Sequence, residues 1–305
     1  MIGILRALGW FYAVQPVRWR LAWGAALGFF LRLTGARARI VRRNLEIAYP
    51  GPEREAERDR LYRQAYAHVG HLFFEILLVF GAMRKFCERS VELVGLENWR
   101  KANERGRGAI YLSSHVGNWE VMAAKGAMAG MDLMIVTKHL KPEWLHQAIE
   151  RGRAACGVSG TYEPRTLRDA LAHFKKKGTV GFILDQYAGP PIGVRVPVFG
   201  LPVGTASAIA MLAKRTGAPV LPVVNYRKAD GTMVVDIRPE LNWIEDENSN
   251  REIAINTAHY AAVLEADIRS HPEQWLWIHN RFKGDLSPLG PEEWERSRAR
   301  TRIEV

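Results

Sequence analysis

Hydrophobic positions along the chain fall into two textures. Up to about residue 90 they come in long runs of helical character. From Val91 they break into short runs of five to seven residues, most of them separated by amphipathic stretches of eleven or more. The alternation predicts an α/β fold, with a mainly parallel central sheet flanked by helices. The short runs expected as strands are Ala109–Ser113, Asp132–Thr137, Thr179–Leu184, Pro219–Asn225 and Met233–Ile237. Helices are expected over Trp119–Ala129, Pro142–Ala155, Thr166–Lys177, Thr205–Thr216 and Ile253–Ser270.

The first texture reads differently. Residues Ile2 to Leu33 are helical in pattern, with a break near Gln15-Pro16. Their longest uncharged runs are Ala7–Val17 and Leu21–Leu31, and neither reaches the roughly 20 apolar residues that a bilayer span needs. An interfacial or shallowly inserted helix pair is therefore the expectation, with a strained single pass from about Trp10 to Leu33 as the alternative. Gly35-Ala36-Arg37-Ala38-Arg39 runs on into the next segment, which argues against a cleaved signal peptide. A basic helix is expected over Arg37–Pro50, a charged one from Glu53 to about Arg63, and an apolar one over Ala65–Phe86 with Glu75 alone inside it. His68 and His71 have a spacing that could bind metal; without a third ligand a structural role is expected. The chain thus divides into an N-terminal membrane-associating helical region (1–90), an α/β domain (91–290) and a charged tail (291–305).

Charge sharpens the reading of the N-terminus. The chain carries 43 basic against 32 acidic residues, a net charge of +11. From Met1 to Leu45 there are eight arginines and no acidic residue, interleaved with Trp10, Phe11, Tyr12, Trp19, Trp23, Phe29 and Phe30. Arginine with aromatics alone would suit single-stranded nucleic acid. The added aliphatic filling points instead to a membrane surface, so no nucleic-acid partner is expected. Cys87 and Cys156 offer neither a disulfide framework nor a zinc motif. There is no G-x-S-x-G elbow, phosphate-binding loop, H-E-x-x-H or dinucleotide fingerprint, so no cofactor or metal is implied.

The candidate chemistry lies in Ser113-Ser114-His115-Val116-Gly117-Asn118-Trp119-Glu120. A strand leads into this stretch and a helix leads out, which leaves His115 in a loop at a strand end. Gly117 permits a tight path and Asn118 is a good N-cap. With Glu120 in the first helical turn, its carboxylate can fold back onto the imidazole, fix the tautomer and leave the other ring nitrogen to act as a base. Asp185-Gln186 also follows an apolar strand, and in a parallel sheet such ends line one crevice. The loop Ala188–Gly204, rich in glycine and proline, could offer free N–H groups to a phosphate or oxyanion.

The stretch S-S-H-V-G-N-W-E resembles the late (lauroyl/myristoyl) acyltransferases of lipid A biosynthesis, within the lysophospholipid acyltransferase superfamily. The resemblance runs from about Arg43 to Lys283. It takes in Arg43-Asn44-Leu45, Tyr49-Pro50, Asp185-Gln186, Val196–Gly200 and Trp275–Lys283. It implies His115 as general base oriented by Glu120, and a direct attack of a lipid hydroxyl on an acyl thioester. Acyl carrier protein is the implied donor and acyl-coenzyme A the alternative. A glycolipid or lysolipid is the implied acceptor, at the cytoplasmic face of the inner membrane. Asn118, Trp119, Asp185 and Gln186 are implied on the substrate side, with Arg153 or Arg151 suited to a phosphorylated substrate and Lys138 a weaker candidate. The superfamily's Phe-Pro-Glu-Gly-Thr-type motif has no glutamate here, where Val198–Thr205 stands. Another lysophospholipid or phosphoglycolipid acyltransferase, a thioesterase-like hydrolase and a non-catalytic basic membrane- or nucleic-acid-binding protein are the competing readings.

Overall fold

A computed structural model describes residues 2–284 and 286–287; the predicted charged tail lies outside the described residues. The N-terminal pattern becomes helices α1 (Ile2–Val14), α2 (Val17–Leu33), α3 (Ala38–Ala48), α4 (Glu55–Glu75) and, after a 3₁₀ turn at Ile76–Phe80, α5 (Met83–Ser90). The first two part at Gln15-Pro16, as the pattern predicts, because proline has no N–H to continue the helix. Two helices were expected between Glu53 and Phe86, yet α4 runs unbroken through residue 64. Only a change of composition marked that boundary, and no glycine or proline stops a helix there. The real break is at Gly81, whose φ of 146° only glycine adopts readily.

The second texture becomes β1 (Val91–Val94), α6 (Leu96–Asn103), β2 (Ala109–Ser113), α7 (Trp119–Met128), β3 (Leu133–Val136), α8 (Glu143–Ala155), β4 (Val158–Thr161), α9 (Thr166–Lys175) and β5 (Thr179–Ile183). A hairpin of β6 (Gly193–Val198) and β7 (Leu201–Ala206) follows, then α10 (Ala208–Thr216), β8 (Val220–Arg227), β9 (Met233–Ile237) and α11 (Ser249–Ser270). Seven strands form one sheet in the order β1-β9-β8-β2-β5-β3-β4. Every pairing is parallel except β8 with β9. The expected α/β architecture, a mostly parallel sheet flanked by helices, is what the chain adopts. β2 is central and buried along its whole length, which is why it reads as a continuous apolar run.

Three strand features escaped the sequence reading. β1 and β4 are four-residue edge strands, too short for a periodic signal. The Ala188–Gly204 loop folds largely into the β6–β7 hairpin. Its turn is Phe199-Gly200, with φ of 49° and 79°, the positive values of a two-residue hairpin turn. Proline masked this: Pro197 and Pro202 face each other in the register. N–H groups expected to cradle an anion therefore serve the hairpin, and that expectation is withdrawn.

Helices α1 and α2 dock through glycines. A side chain on Gly70 of α4 would overlap the backbone of Gly24 and Gly28 of α2, so the two helices touch backbone to backbone. Among the described residues, no helix is long and apolar enough to cross a membrane.

Candidate active site

Register places the central histidine. β2 and β5 are parallel neighbours with Ser113 level with Ile183, so two residues past each strand end His115 and Asp185 stand side by side. The His115 backbone N–H donates to Asp185 Oδ2 at 2.8 Å, and His115 Nδ1 donates to Asp185 Oδ1 at 2.7 Å. Trp275 Nε1 donates a third bond, to Oδ2, at 2.6 Å. Burial alone would raise the Asp185 pKa. The adjoining imidazole, the indole bond and the backbone bond outweigh it and bring the value down to about 2 from the usual 3.8. The carboxylate thus supports the fold above pH 3.8, and that support is lost as the pH falls toward 2.

An ionised carboxylate can only accept hydrogen bonds, so the proton of the imidazole belongs on Nδ1 and the lone pair on Nε2. Gln186 Nε2 lies 3.2 Å from that lone pair, and the Trp119 ring stands edge-on to the imidazole with centroids 4.7 Å apart. The chain has built a base with a fixed tautomer, whose second nitrogen accepts from the Gln186 amide.

Glu120 is not the carboxylate on this ring. Arg153, from α8, takes it with two bonds: Nε to Oε2 at 2.9 Å and Nη2 to Oε1 at 2.5 Å. Arg153 Nη1 donates to Glu150 Oε1 at 2.7 Å. Burial would lower the arginine pKa, but the two carboxylates drive it up. The geometric reason is helical. Asn118 caps α7, accepting from the N–H groups of Glu120 and Val121 at 3.0 and 3.1 Å, and this turns Glu120 toward α8. Arg153 thus shares its guanidinium between Glu120 and Glu150 while also lining the cavity beside His115. Arg151 points to solvent on α8.

Asn118 is likewise spent on architecture. Its Nδ2 donates to Glu75 Oε2 at 2.8 Å, and its backbone N–H donates to Asn225 Oδ1 at 2.7 Å. Glu75 is fully buried and pairs also with Arg227. The lone charge of the apolar helix thus anchors the loop that carries His115. Gly117 has a φ of 65° and lies against the Asn225 backbone, where a side chain would collide. Arg281 braces the opposite side, donating from Nη1 to the carbonyls of Gln186 at 3.0 Å and Gly204 at 2.7 Å, and from Nη2 to Thr205 Oγ1 at 2.6 Å. Burial lowers its pKa to about 10, against the pull of Asp185, so it stays charged at neutral pH. Sequence reasoning assigned no role to Glu75, Arg227, Asn225, Trp275 or Arg281. The one available hint was a glutamate in an otherwise apolar run, since buried charges are held only when paired.

A cavity of about 510 Å³ opens beside the imidazole. Much of its polar lining comes from residues just past the carboxyl ends of four parallel strands, His115 after β2, Lys138 after β3, Tyr162 after β4 and Gln186 after β5, and Arg153 of α8 adds to it. Its apolar lining comes from within the strands, through Tyr111, Leu133 and Ile135, and from Met122 and Ala123 of α7. The result is a polar rim over a greasy floor, at the strand ends where open α/β sheets bind ligands. Burial pushes the Cys87 thiol up to about 12, which leaves it unsuited to act as a nucleophile. Among the described residues no His, Cys, Asp or Glu side chains cluster as metal ligands do.

A parallel sheet with a carboxylate-held histidine at its carboxyl edge, above an apolar cavity, defines an α/β enzyme suited to acyl groups. The profile of the family described as Bacterial lipid A biosynthesis acyltransferase matches residues 2–284. The chain belongs to that family and is an acyltransferase. It is 29% identical over 274 residues to the lipid A biosynthesis lauroyltransferase of Escherichia coli K12, covering 88% of this chain and 86% of the relative. It is 26% identical over 295 residues to the palmitoleoyltransferase of the same organism, covering 95% and 91%. A phosphatidylinositol mannoside acyltransferase of Mycobacterium tuberculosis is 27% identical over 205 residues, covering 63% of this chain and 60% of the relative.

Proposed function

We propose that the protein moves a fatty acyl chain from an acyl thioester of acyl carrier protein to a hydroxyl of a lipid A-type glycolipid precursor. The observation that carries this reading is the lone pair of His115 Nε2, beside a cavity whose floor is hydrocarbon. The two Escherichia coli relatives named above support the acceptor class, since both carry lipid A biosynthesis in their names.

The chemistry needs no acyl-enzyme. His115 Nε2 takes the proton of the acceptor hydroxyl as its oxygen attacks the thioester carbonyl. Asp185 stabilises the imidazolium that forms, as in other histidine–carboxylate pairs. When an acceptor hydroxyl displaces it from His115 Nε2, the side-chain amide of Gln186 can donate to the developing oxyanion. Collapse of the tetrahedral intermediate breaks the C–S bond, and the imidazolium returns its proton to the departing thiolate. Glu120 and Arg153 fix α7 against α8 and so hold the cavity wall.

The test is a product analysis. Purified protein, acyl carrier protein charged with labelled acyl chains and a lipid A precursor should yield a lipid heavier by one acyl chain, with release of carrier thiol. Thioester loss at a comparable rate without acceptor would make the protein a hydrolase instead.

The N-terminal helices supply the membrane contact in this reading. Leu8, Phe11, Trp19, Phe29, Phe30 and Phe73 are exposed, and the exposed Arg6 and Arg18 accompany them. Exposed aromatic and aliphatic side chains with arginines among them suit shallow insertion among anionic headgroups on the cytoplasmic leaflet. The double variant Phe29→Ser/Phe30→Ser should weaken co-sedimentation with anionic phospholipid vesicles by about tenfold or more, each lost phenylalanine removing roughly 1.5–3 kcal/mol of apolar burial. Transfer to detergent-dispersed acceptor should persist. Unchanged sedimentation would count against these side chains as the docking surface.

A further inference from the structure

The floor of the cavity contains a glycine that the fold does not need. Side chains alternate along a strand, so Tyr111 and Ser113 of β2, Leu133 and Ile135 of β3, and Gly181 and Ile183 of β5 share one face, and all six line the cavity. The register puts Gly181 in one row between Tyr111 and Ile135. This is the middle of a strand that lies inside the sheet, flanked on both sides.

Glycine there weakens the strand, having neither a side chain to pack nor any β preference. Backbone shape does not require it, since its φ lies outside the left-handed range that favours glycine. Space does not require it either. A Cβ would meet Ile135 Cγ2 at 3.6 Å and Leu133 Cδ1 at 3.9 Å, which are ordinary contacts. What the missing side chain leaves is an open notch in the sheet surface under the cavity. Glycine within a strand commonly marks close approach of a ligand.

We infer that Gly181 sets the length of acyl chain the enzyme accepts, a reading that rests on the acyl-transfer function proposed above. His115 stands four residues beyond the row of Gly181, counted along β2 from Tyr111. At about 3.3 Å per residue the two strand steps from Tyr111 to Ser113 put the notch roughly 7 Å below the end of β2, with the reacting centre two loop residues further on. A hydrocarbon chain entering at the imidazole and running down the sheet face reaches the notch with its distal carbons. Its neighbours Tyr111 and Ile135 are full-sized side chains, so the notch is the place in that row where the chain can pass. A side chain at 181 closes it, and longer chains lose their seat first.

The experiment measures transfer rates of the full-length protein and of Gly181→Ala and Gly181→Val, using a graded series of saturated acyl carrier protein thioesters. Discrimination in an apolar pocket is roughly 10- to 200-fold per methylene gained or lost. The wild-type's longest good substrate should fall by at least about tenfold against its own shorter homologues in Gly181→Ala, and further in Gly181→Val. Shorter chains should keep rates within about threefold of wild type, so that the preferred length moves down. Gly181→Ala, whose methyl fits without displacing a neighbour, carries the test if the larger variant does not fold. Variants that slow all lengths equally, or leave the wild-type ratio unchanged, overturn the inference while the acyltransferase reading stands. A wild-type protein that transfers no chain of any length to a lipid acceptor overturns both.

Discussion

Asp185→Asn lowers kcat for acyl transfer by roughly 10²- to 10⁴-fold, the range that positioned general-base help supplies. The asparagine keeps the size and an acceptor oxygen for Nδ1, but it removes the negative charge that stabilises the imidazolium. It can also present its amide to the ring and invert the tautomer, taking the lone pair away from Nε2. Because Asp185 acts through His115, the two are one unit and their losses do not add. Asp185→Asn combined with His115→Ala should be no slower than His115→Ala alone. Steady-state rates with far-ultraviolet circular dichroism as a control for folding check this. An Asp185→Asn enzyme within about threefold of wild type would detach the carboxylate from the chemistry.

Glu120 gives the second large effect, and it falls on stability. Glu120→Ala leaves a guanidinium that is 8% exposed without its bidentate partner. Removing one member of a buried pair costs about 3–5 kcal/mol, because the remaining charge stays desolvated. Glu150 offsets part of this, being itself partly exposed. Replacing both members with apolar residues, Glu120→Leu with Arg153→Met, should return most of the lost stability. If Glu120 serves to fasten α7 to α8, the double variant regains activity along with stability. If instead Glu120 touched the histidine, the double variant would melt like wild type and remain inactive. Thermal denaturation and transfer rates, measured on the same samples, separate the two.

How legible this was differs from residue to residue. Strands β2 and β9 are where their apolar runs place them, to the residue, since buried runs bounded by turn residues leave little choice. Asn118 caps α7 as its side-chain chemistry requires. The shared crevice of His115 and Asp185 followed from strand-end logic alone. What the sequence concealed was partner choice. His115 and Glu120 are neighbours along the chain and Asp185 is seventy positions away, so local reasoning favours the nearer carboxylate. The register of β2 on β5 decides for the farther one, and register is a property of the assembled sheet. The hairpin at Gly193–Ala206 was hidden for a local reason: its prolines read as loop unless the strand is known to lie in a separate two-stranded ribbon. Trp275 and Arg281 reach the site from the far end of the chain, where no periodicity announces them.

The measurement closest to the heart of the account is a single-turnover assay of acyl transfer from labelled acyl carrier protein to a lipid A precursor, comparing wild type with His115→Ala. The account predicts that the wild-type protein forms the acylated lipid, and that the variant, folded and still binding the thioester, forms it at least about 10²-fold more slowly. A folded His115→Ala protein that acylates the precursor at close to the wild-type rate would contradict it.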